Sequence, residues 1–353
     1  MIEPLEAVAD EAIHGSYCPK MCNFSCPVLT ATGDERAAPW ALHTVVAGIA
    51  TGDRTADVVA YDDLYGCTGC HACQVACLYD LDVPAEVRAA RAEVIAAGAE
   101  APAVTAAARH VRAGRSPYGD VPAALPASRT DADVAVIAGC RDEPPTLQAI
   151  DQLLAAAGVA ASWVRPSGCC GATPADLGDA ATADACSEQL AARLRDAPPT
   201  VLATDPHCLP ALRAVAGERT VRDVCSELAG HAHRGGLRLR GLGAVTYHDP
   251  CVLARDEGVT EPPRTLLAAA GADVIEPPGA ARATACSGAG LALELVAPDA
   301  AGAVARRRTA QLADDHPVVT ACARARRLLA AAGLAVRDLF VVLADHVDAE
   351  EPR

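Results

Sequence analysis

The pattern of apolar and polar positions changes character twice along the chain. From residue 1 to residue 80 the apolar residues are scattered between cysteines with little β-branched alternation. One stretch, Pro39 to Ile49, carries helical spacing, so this part is expected to be helix and loop. From Pro84 the run Ala85-Glu86-Val87-Arg88-Ala89-Ala90-Arg91 predicts a helix ending near Gly98, followed by a Gly/Ser/Pro-rich link from Gly114 to Pro126. Beyond Asp131 short apolar runs alternate with helical Ala/Leu/Arg spacing. Asp133 to Ala138 reads as a strand, Thr146 to Ala157 as a helix and Thr200 to Ala203 as another strand, an order that implies βαβ units on a parallel sheet.

The later part repeats itself. Val221-Arg222-Asp223, with Leu228-Ala229 and His231, returns 115 positions on as Val336-Arg337-Asp338, with Leu343-Ala344 and His346. At an offset of 117, Cys169-Cys170-Gly171 returns as Cys286-Ser287-Gly288, and Asp205-Pro206-His207-Cys208 as Cys322-Ala323-Arg324-Ala325. We therefore expect an α+β multidomain chain: a helical domain over 1–125, then two copies of one α/β unit over 126–236 and 237–353.

Composition narrows the function. Of 353 residues, 51% are hydrophobic and 21% charged, which excludes a disordered chain. Phe, Trp and Tyr number 2, 2 and 6, leaving the core to Ala, Val and Leu and little for stacking on bases. Lys plus Arg is 30 against 45 for Asp plus Glu, a net charge of −15, and Lys20 is the only lysine; nucleic acid is not an expected partner. The first residues lack the basic and apolar regions of a secretory signal, and no apolar run approaches the length of a membrane span. A cytoplasmic location is therefore expected, and sixteen cysteines in a reducing compartment point to metal ligation or thiol chemistry rather than disulfides.

Cys67-x2-Cys70-x2-Cys73-x3-Cys77 has ferredoxin-type spacing: three cysteines wrap one cubane cluster and the fourth reaches a second. A single zinc takes four ligands, usually as two separated pairs, which argues against a zinc scaffold. Upstream, Cys18-x3-Cys22-x3-Cys26-Pro27 is a degraded partner run. If the runs exchange fourth ligands, Cys67, Cys70, Cys73 and Cys26 hold one 4Fe-4S cluster, and Cys18, Cys22 and Cys77 hold a second with one place open. His14 either fills that place or is a surface histidine, and Leu78 departs from the proline usual after the final cysteine.

The chain resembles the heterodisulfide-reductase-type iron-sulfur proteins, a group that includes the iron-sulfur subunits of anaerobic glycerol-3-phosphate, glycolate and lactate dehydrogenases. The resemblance runs through the ferredoxin-type part, the helix leading to Ser116-Pro117-Tyr118-Gly119, and both repeats. The family motif has five cysteines. The first copy keeps Cys140, Cys169, Cys170 and Cys208 with Asp205 in the fifth place, whereas the second keeps Cys251, Cys286 and Cys322 with Ser287 and Ala325 as losses. Four thiolates suit a 4Fe-4S cluster in the first copy; the second is left open between a cluster with a non-cysteine ligand and a vestigial site. The losses put the family's noncubane disulfide chemistry in doubt. Cys186 and Cys225 fall outside the pattern as buried thiols. His207 and His248 flank cysteines and could tune a cluster or shuttle protons, with helix-start capping the expected role.

The resemblance implies an electron-transfer subunit between a flavin-containing dehydrogenase and an acceptor such as a quinone-reducing or membrane partner, peripheral at the inner face of the membrane if held there. The rival is a thiol-disulfide reductase acting through the first copy. No flavin or nicotinamide site is evident, since Gly241-x-Gly243 lacks the rest of a dinucleotide fingerprint.

Overall fold

A computed structural model describes residues 2–99, 101–313 and 315–348. The cysteine-bearing N-terminal part is helical: α1 (Leu5–Ser16), α2 (Pro27–Thr32), α3 (Pro39–Thr51), α4 (Val58–Asp63), α5 (Ala72–Val75), α6 (Val83–Ala96) and α7 (Pro102–Arg112). Pro39 opens α3, where a missing N–H costs nothing, and Gly52 closes it at a left-handed φ of 79°. Asp82 caps α6 by accepting from the Ala85 amide. Helices α1, α3 and α6 pack together around Val46, Val87, Ala90 and Val94. Within them the buried His43 and Glu86 side chains meet at 2.7 Å through Glu86 Oε2, which gives each buried group a partner. Helix α7 is the helix that the resemblance places before Ser116-Pro117-Tyr118-Gly119, between the helix expected to end near Gly98 and the link from Gly114. Its buried stripe Val104, Ala107, Ala108 and Val111 faces away from the exposed Thr105, Arg109 and Arg112, a strongly amphipathic pattern.

The first α/β unit runs β1 (Val134–Ile137), α8 (Pro144–Ala156), β2 (Ala161–Val164), α9 (Ala172–Asp176), α10 (Ala180–Arg193), β3 (Thr200–Ala203), α11 (Leu209–Val215), β4 (Thr220–Asp223) and α12 (Val224–His233). The second repeats the succession: β5 (Val245–Tyr247), α13 (Glu261–Ala269), β6 (Val274–Ile275), α14 (Leu293–Val296), α15 (Pro298–Leu312), β7 (Val318–Thr320), α16 (Ala323–Ala331), β8 (Val336–Asp338) and α17 (Leu339–Ala344). The sheets are parallel, with matching orders β2-β1-β3-β4 and β6-β5-β7-β8. All four β1 residues are buried, as a strand covered on both faces requires. Helix α8 packs on α17 and α12 on α13. Because α8 corresponds to α13 and α12 to α17, these two contacts exchange when the copies are interchanged, the signature of a pseudo-twofold.

The repeated Val-Arg-Asp triplet now has a physical meaning: it ends the last strand of each unit on the cap of the next helix. Asp223 accepts from the Ser226 amide at 2.9 Å and Asp338 from the Phe340 amide at 3.0 Å. Burial pushes the Asp338 carboxyl up to about 6. A raised acid binds more protons folded than unfolded between its two pKa values. Its contribution to stability is therefore lost as pH rises through about 4 to 6, by up to about 3 kcal/mol. Asp338→Asn should flatten the urea-denaturation midpoint over that window, and an unchanged pH slope would remove Asp338 as its source. Among the described residues no helix is long and apolar enough to cross a membrane.

Candidate functional site

In both copies the motif cysteines follow strand ends, at the carboxyl edge where open parallel sheets collect ligands. Cys140 and Cys251 lie just beyond β1 and β5, Cys169 and Cys286 in the connections after β2 and β6, and Cys208 and Cys322 at the turns following β3 and β7. Cys169 and Cys286 share a further feature: each sulfur accepts from the amide of the glycine two residues on, Gly171 at 3.4 Å and Gly288 at 3.2 Å. Gly168 and Gly171, at φ 84° and 102°, give the Cys169-Cys170 pair its sharp turn in a region that side chains avoid.

In the first copy four buried thiols converge in a hydrogen-bonded chain, Cys140 to Cys169 to Cys170 to Cys208. Cys169 accepts from both neighbouring thiols and from Gly171, and these bonds hold it well below the ordinary thiol range. Hydrogen bonding to Cys169 and burial push Cys140 well up.

Around this chain lies a polar cage. Asp205, fully buried, accepts from Arg324 Nε at 3.2 Å, and despite burial the guanidinium holds its carboxyl below the usual range. Arg324 also reaches Thr173 Oγ1 at 3.2 Å and the Tyr118 hydroxyl at 3.3 Å, while the Arg141 guanidinium stacks 4.0 Å from the Tyr118 ring centroid. Gly139 lets the Cys140 loop approach, since a Cβ there would come within 2.6 Å of Asp205 Cβ. Tyr118, Arg141 and Arg324 were not singled out from the sequence. The 117-residue offset already places Arg324 opposite His207, and that alignment was the available signal.

The histidines depart from expectation, as neither caps a helix. Asp205 performs that task, accepting from the His207 amide at 3.0 Å, because a carboxylate is the better acceptor for backbone N–H groups. The His207 ring instead pairs through Nδ1 with Asp205 at 3.1 Å and leaves a buried Nε2 with no partner among the described residues. Burial and the Arg308 cation hold His248 well below its ordinary value, as a neutral ring.

The three cysteines of the second copy do not share one place. Cys286 is hydrogen-bonded to Cys251 and to Cys70 of the N-terminal part. Cys322 lies within 4.8 Å of ligand atoms of Asp205 and His207, and its sulfur accepts from the Ala325 amide to cap α16. One turn of π-helix, Val252–Asp256, follows Cys251 and sends Arg255 Nη1 to the Cys70 carbonyl at 2.7 Å.

In the N-terminal part Cys26 joins the later cysteine run: Cys26, Cys67, Cys70 and Cys73 line one small cavity of about 20 Å³. Burial raises Cys26 to about 12 and Cys67 to about 11, and charge on any one sulfur opposes charge on its neighbours. Cys22 has Cys77 and Cys18 as its sulfur neighbours. His14 is exposed, with its ring 4.5 Å edge-on to Tyr79 beside the Cys77 loop. Lys20, His71 and Asp80 adopt positive φ within or beside these runs, a strain that clusters at functional loops. Cys186 and Cys225 are buried in α10 and α12.

Comparison with protein families matches the cysteine-rich domain family, CCG, at residues 134–213 and again at 245–324. No match was found among curated proteins or solved structures. The matched ranges run from β1 into α11 and from β5 into α16, enclosing the strand ends that carry the cysteines. Residues 134–213 and 245–324 are thus two cysteine-rich domains of the CCG type, in tandem behind a helical cysteine-bearing segment.

Proposed function

We propose that the chain is an iron-sulfur electron-transfer subunit of the heterodisulfide-reductase type, relaying electrons between a flavin-containing dehydrogenase and an acceptor. The observation that carries this reading is the buried chain Cys140, Cys169, Cys170 and Cys208 at the carboxyl edge of the first sheet. Four converging sulfurs, an amide N–H directed at one of them and a nearby cation are a donor set that suits thiolate-ligated iron and its negative charge.

On this reading Cys140, Cys169, Cys170 and Cys208 hold one cluster, Cys26, Cys67, Cys70 and Cys73 a second, and Cys18, Cys22 and Cys77 a third with one place for another donor. When bound, such clusters supply one-electron transfer. The protein shields the sites from water, orients the sulfurs through backbone amides, and through the Cys70 to Cys286 hydrogen bond brings the N-terminal set against the second CCG domain.

A thiol-disulfide reductase reading has one observation in its favour. A cavity of about 310 Å³ lies between Gly69, His71, Ala172, His207 and Leu291, adjoining both cysteine-bearing loops. Although burial opposes its charge, the Asp256 and Asp82 carboxylates paired with its two ring nitrogens push His71 up to about 9, which supplies a proton donor there. Turnover of small disulfides by the isolated chain would favour this alternative.

Iron, acid-labile sulfide and electron paramagnetic resonance after anaerobic purification test the relay. Cys70→Ser should remove about four irons per chain. Unchanged iron and sulfide in that variant would defeat the N-terminal assignment.

A further inference from the structure

Away from the cavity just described, a second one of about 390 Å³ opens beside the second CCG domain. Four arginines line it, Arg255, Arg282, Arg307 and Arg308, and no acidic residue does. In a chain with 45 acidic against 30 basic residues, that is a concentrated reversal of sign. Among the described residues none of the four forms an ion pair with a carboxylate.

The four divide into two layers. Arg255 and Arg308 are buried and spend their N–H groups on neutral acceptors: Arg282, Cys70 and Thr284 carbonyls for the first, Pro278 and Gly279 carbonyls, the Gln311 side chain and His248 Nδ1 for the second. The nearby Asp249 carboxylate is already held by both terminal nitrogens of Arg264, at 2.8 Å each. Neither buried cation thus touches a carboxylate, although the Asp249 charge, shared with Arg264, still reaches Arg308, and an entering anion adds to the compensation of their desolvation. Arg282 and Arg307 are exposed, with guanidinium forks free to bind an incoming carboxylate or phosphate. Phe24, 73% exposed, and Val75, 50% exposed, add an apolar wall.

We propose that this cavity binds a small organic dianion, a phosphate ester or a dicarboxylate, with its charge toward the arginines and its apolar part against Phe24 and Val75. Cys286 also lines the cavity, so the bound anion lies beside a sulfur hydrogen-bonded to Cys70. The site depends only on side chains present in the chain and does not rest on the electron-transfer reading.

Titration calorimetry with phenyl phosphate and with phthalate tests it at low ionic strength on the purified full chain, with and without reconstituted iron. Saturable one-site binding is expected for at least one probe. The tighter probe assigns the phosphoryl or the carboxylate class. The double variant Arg282→Gln/Arg307→Gln should weaken binding about a hundredfold, about tenfold per lost fork. The control pair Arg222→Gln/Arg337→Gln, exposed arginines outside the cavity, should leave it unchanged. Binding by the iron-free chain that only the cavity variant loses supports the site whatever the iron assay returns. Absence of saturable binding of both probes, or equal weakening in the control pair, overturns it.

Discussion

Replacing Arg91 with alanine is expected to destabilise the folded chain by about 3–5 kcal/mol, the scale for opening a large core cavity and leaving buried acceptors unpaired. Arg91 is fully buried on α6, where its guanidinium joins all three parts of the molecule. Nη2 donates to the Leu64 carbonyl in the N-terminal part at 2.7 Å, and Nη1 to the Asp176 carbonyl at 2.6 Å and the Leu291 carbonyl at 3.2 Å, one in each CCG unit. The Tyr65 ring covers it 4.3 Å from the centroid. Alanine leaves three buried carbonyls without this donor and opens a cavity beneath Tyr65, and both effects act in the same direction. Lysine should rescue little, because one ammonium cannot reproduce a planar fork that reaches three separate acceptors. The check is the urea midpoint, compared with Arg222→Ala on the exposed surface. Equal shifts would show that Arg91 does not tie the three parts together.

The second large effect is expected at Cys170. Its sulfur is the middle link between Cys169 and Cys208 and is 1% exposed, so Cys170→Ala interrupts the donor chain while removing only one atom of volume. On the proposed function that variant should lose about four irons per chain with the matching sulfide, and electron flow through the chain with them. Cys322→Ala should keep its iron. Its sulfur lies with Asp205 and His207 rather than in the four-thiol chain, and its hydrogen bond to the Ala325 amide is that of a helix cap, about 1 kcal/mol. The comparison is iron and sulfide per chain and the paramagnetic signal of the reduced protein. Equal iron loss in both variants would make Cys322 a ligand and turn the reading toward two working centres in the tandem domains.

Much of this arrangement was legible along the chain. The strands at 134–137 and 200–203, the helices near 39–51 and 83–96, and the duplication were readable because each depends on local spacing: period 2 or 3.6, a proline at a helix start, an aspartate at a cap. The motif positions of Cys140, Cys169, Cys170 and Cys208 came from the resemblance to the family's five-cysteine motif, and the structure sets them at strand-to-helix turns along a parallel sheet's edge. Helix α7 was legible only through the resemblance, although Val104, Ala107, Ala108 and Val111 opposite Thr105, Arg109 and Arg112 carry the helical period.

By itself, then, the sequence determined the local elements, the twofold repetition and the residue types able to bind metal. Only the tertiary structure decided who meets whom. It sent Cys286 to Cys70 and Cys322 to Asp205, although all three second-copy cysteines occupy regular motif positions. It brought Tyr118 and Arg324, 206 residues apart, together over the first copy. It gathered four arginines from three segments around one cavity. The physical reason is that spacing sets where a side chain sits on its own element, whereas the packing of α12 on α13 and α8 on α17, together with the Arg91 tie, sets which elements face each other.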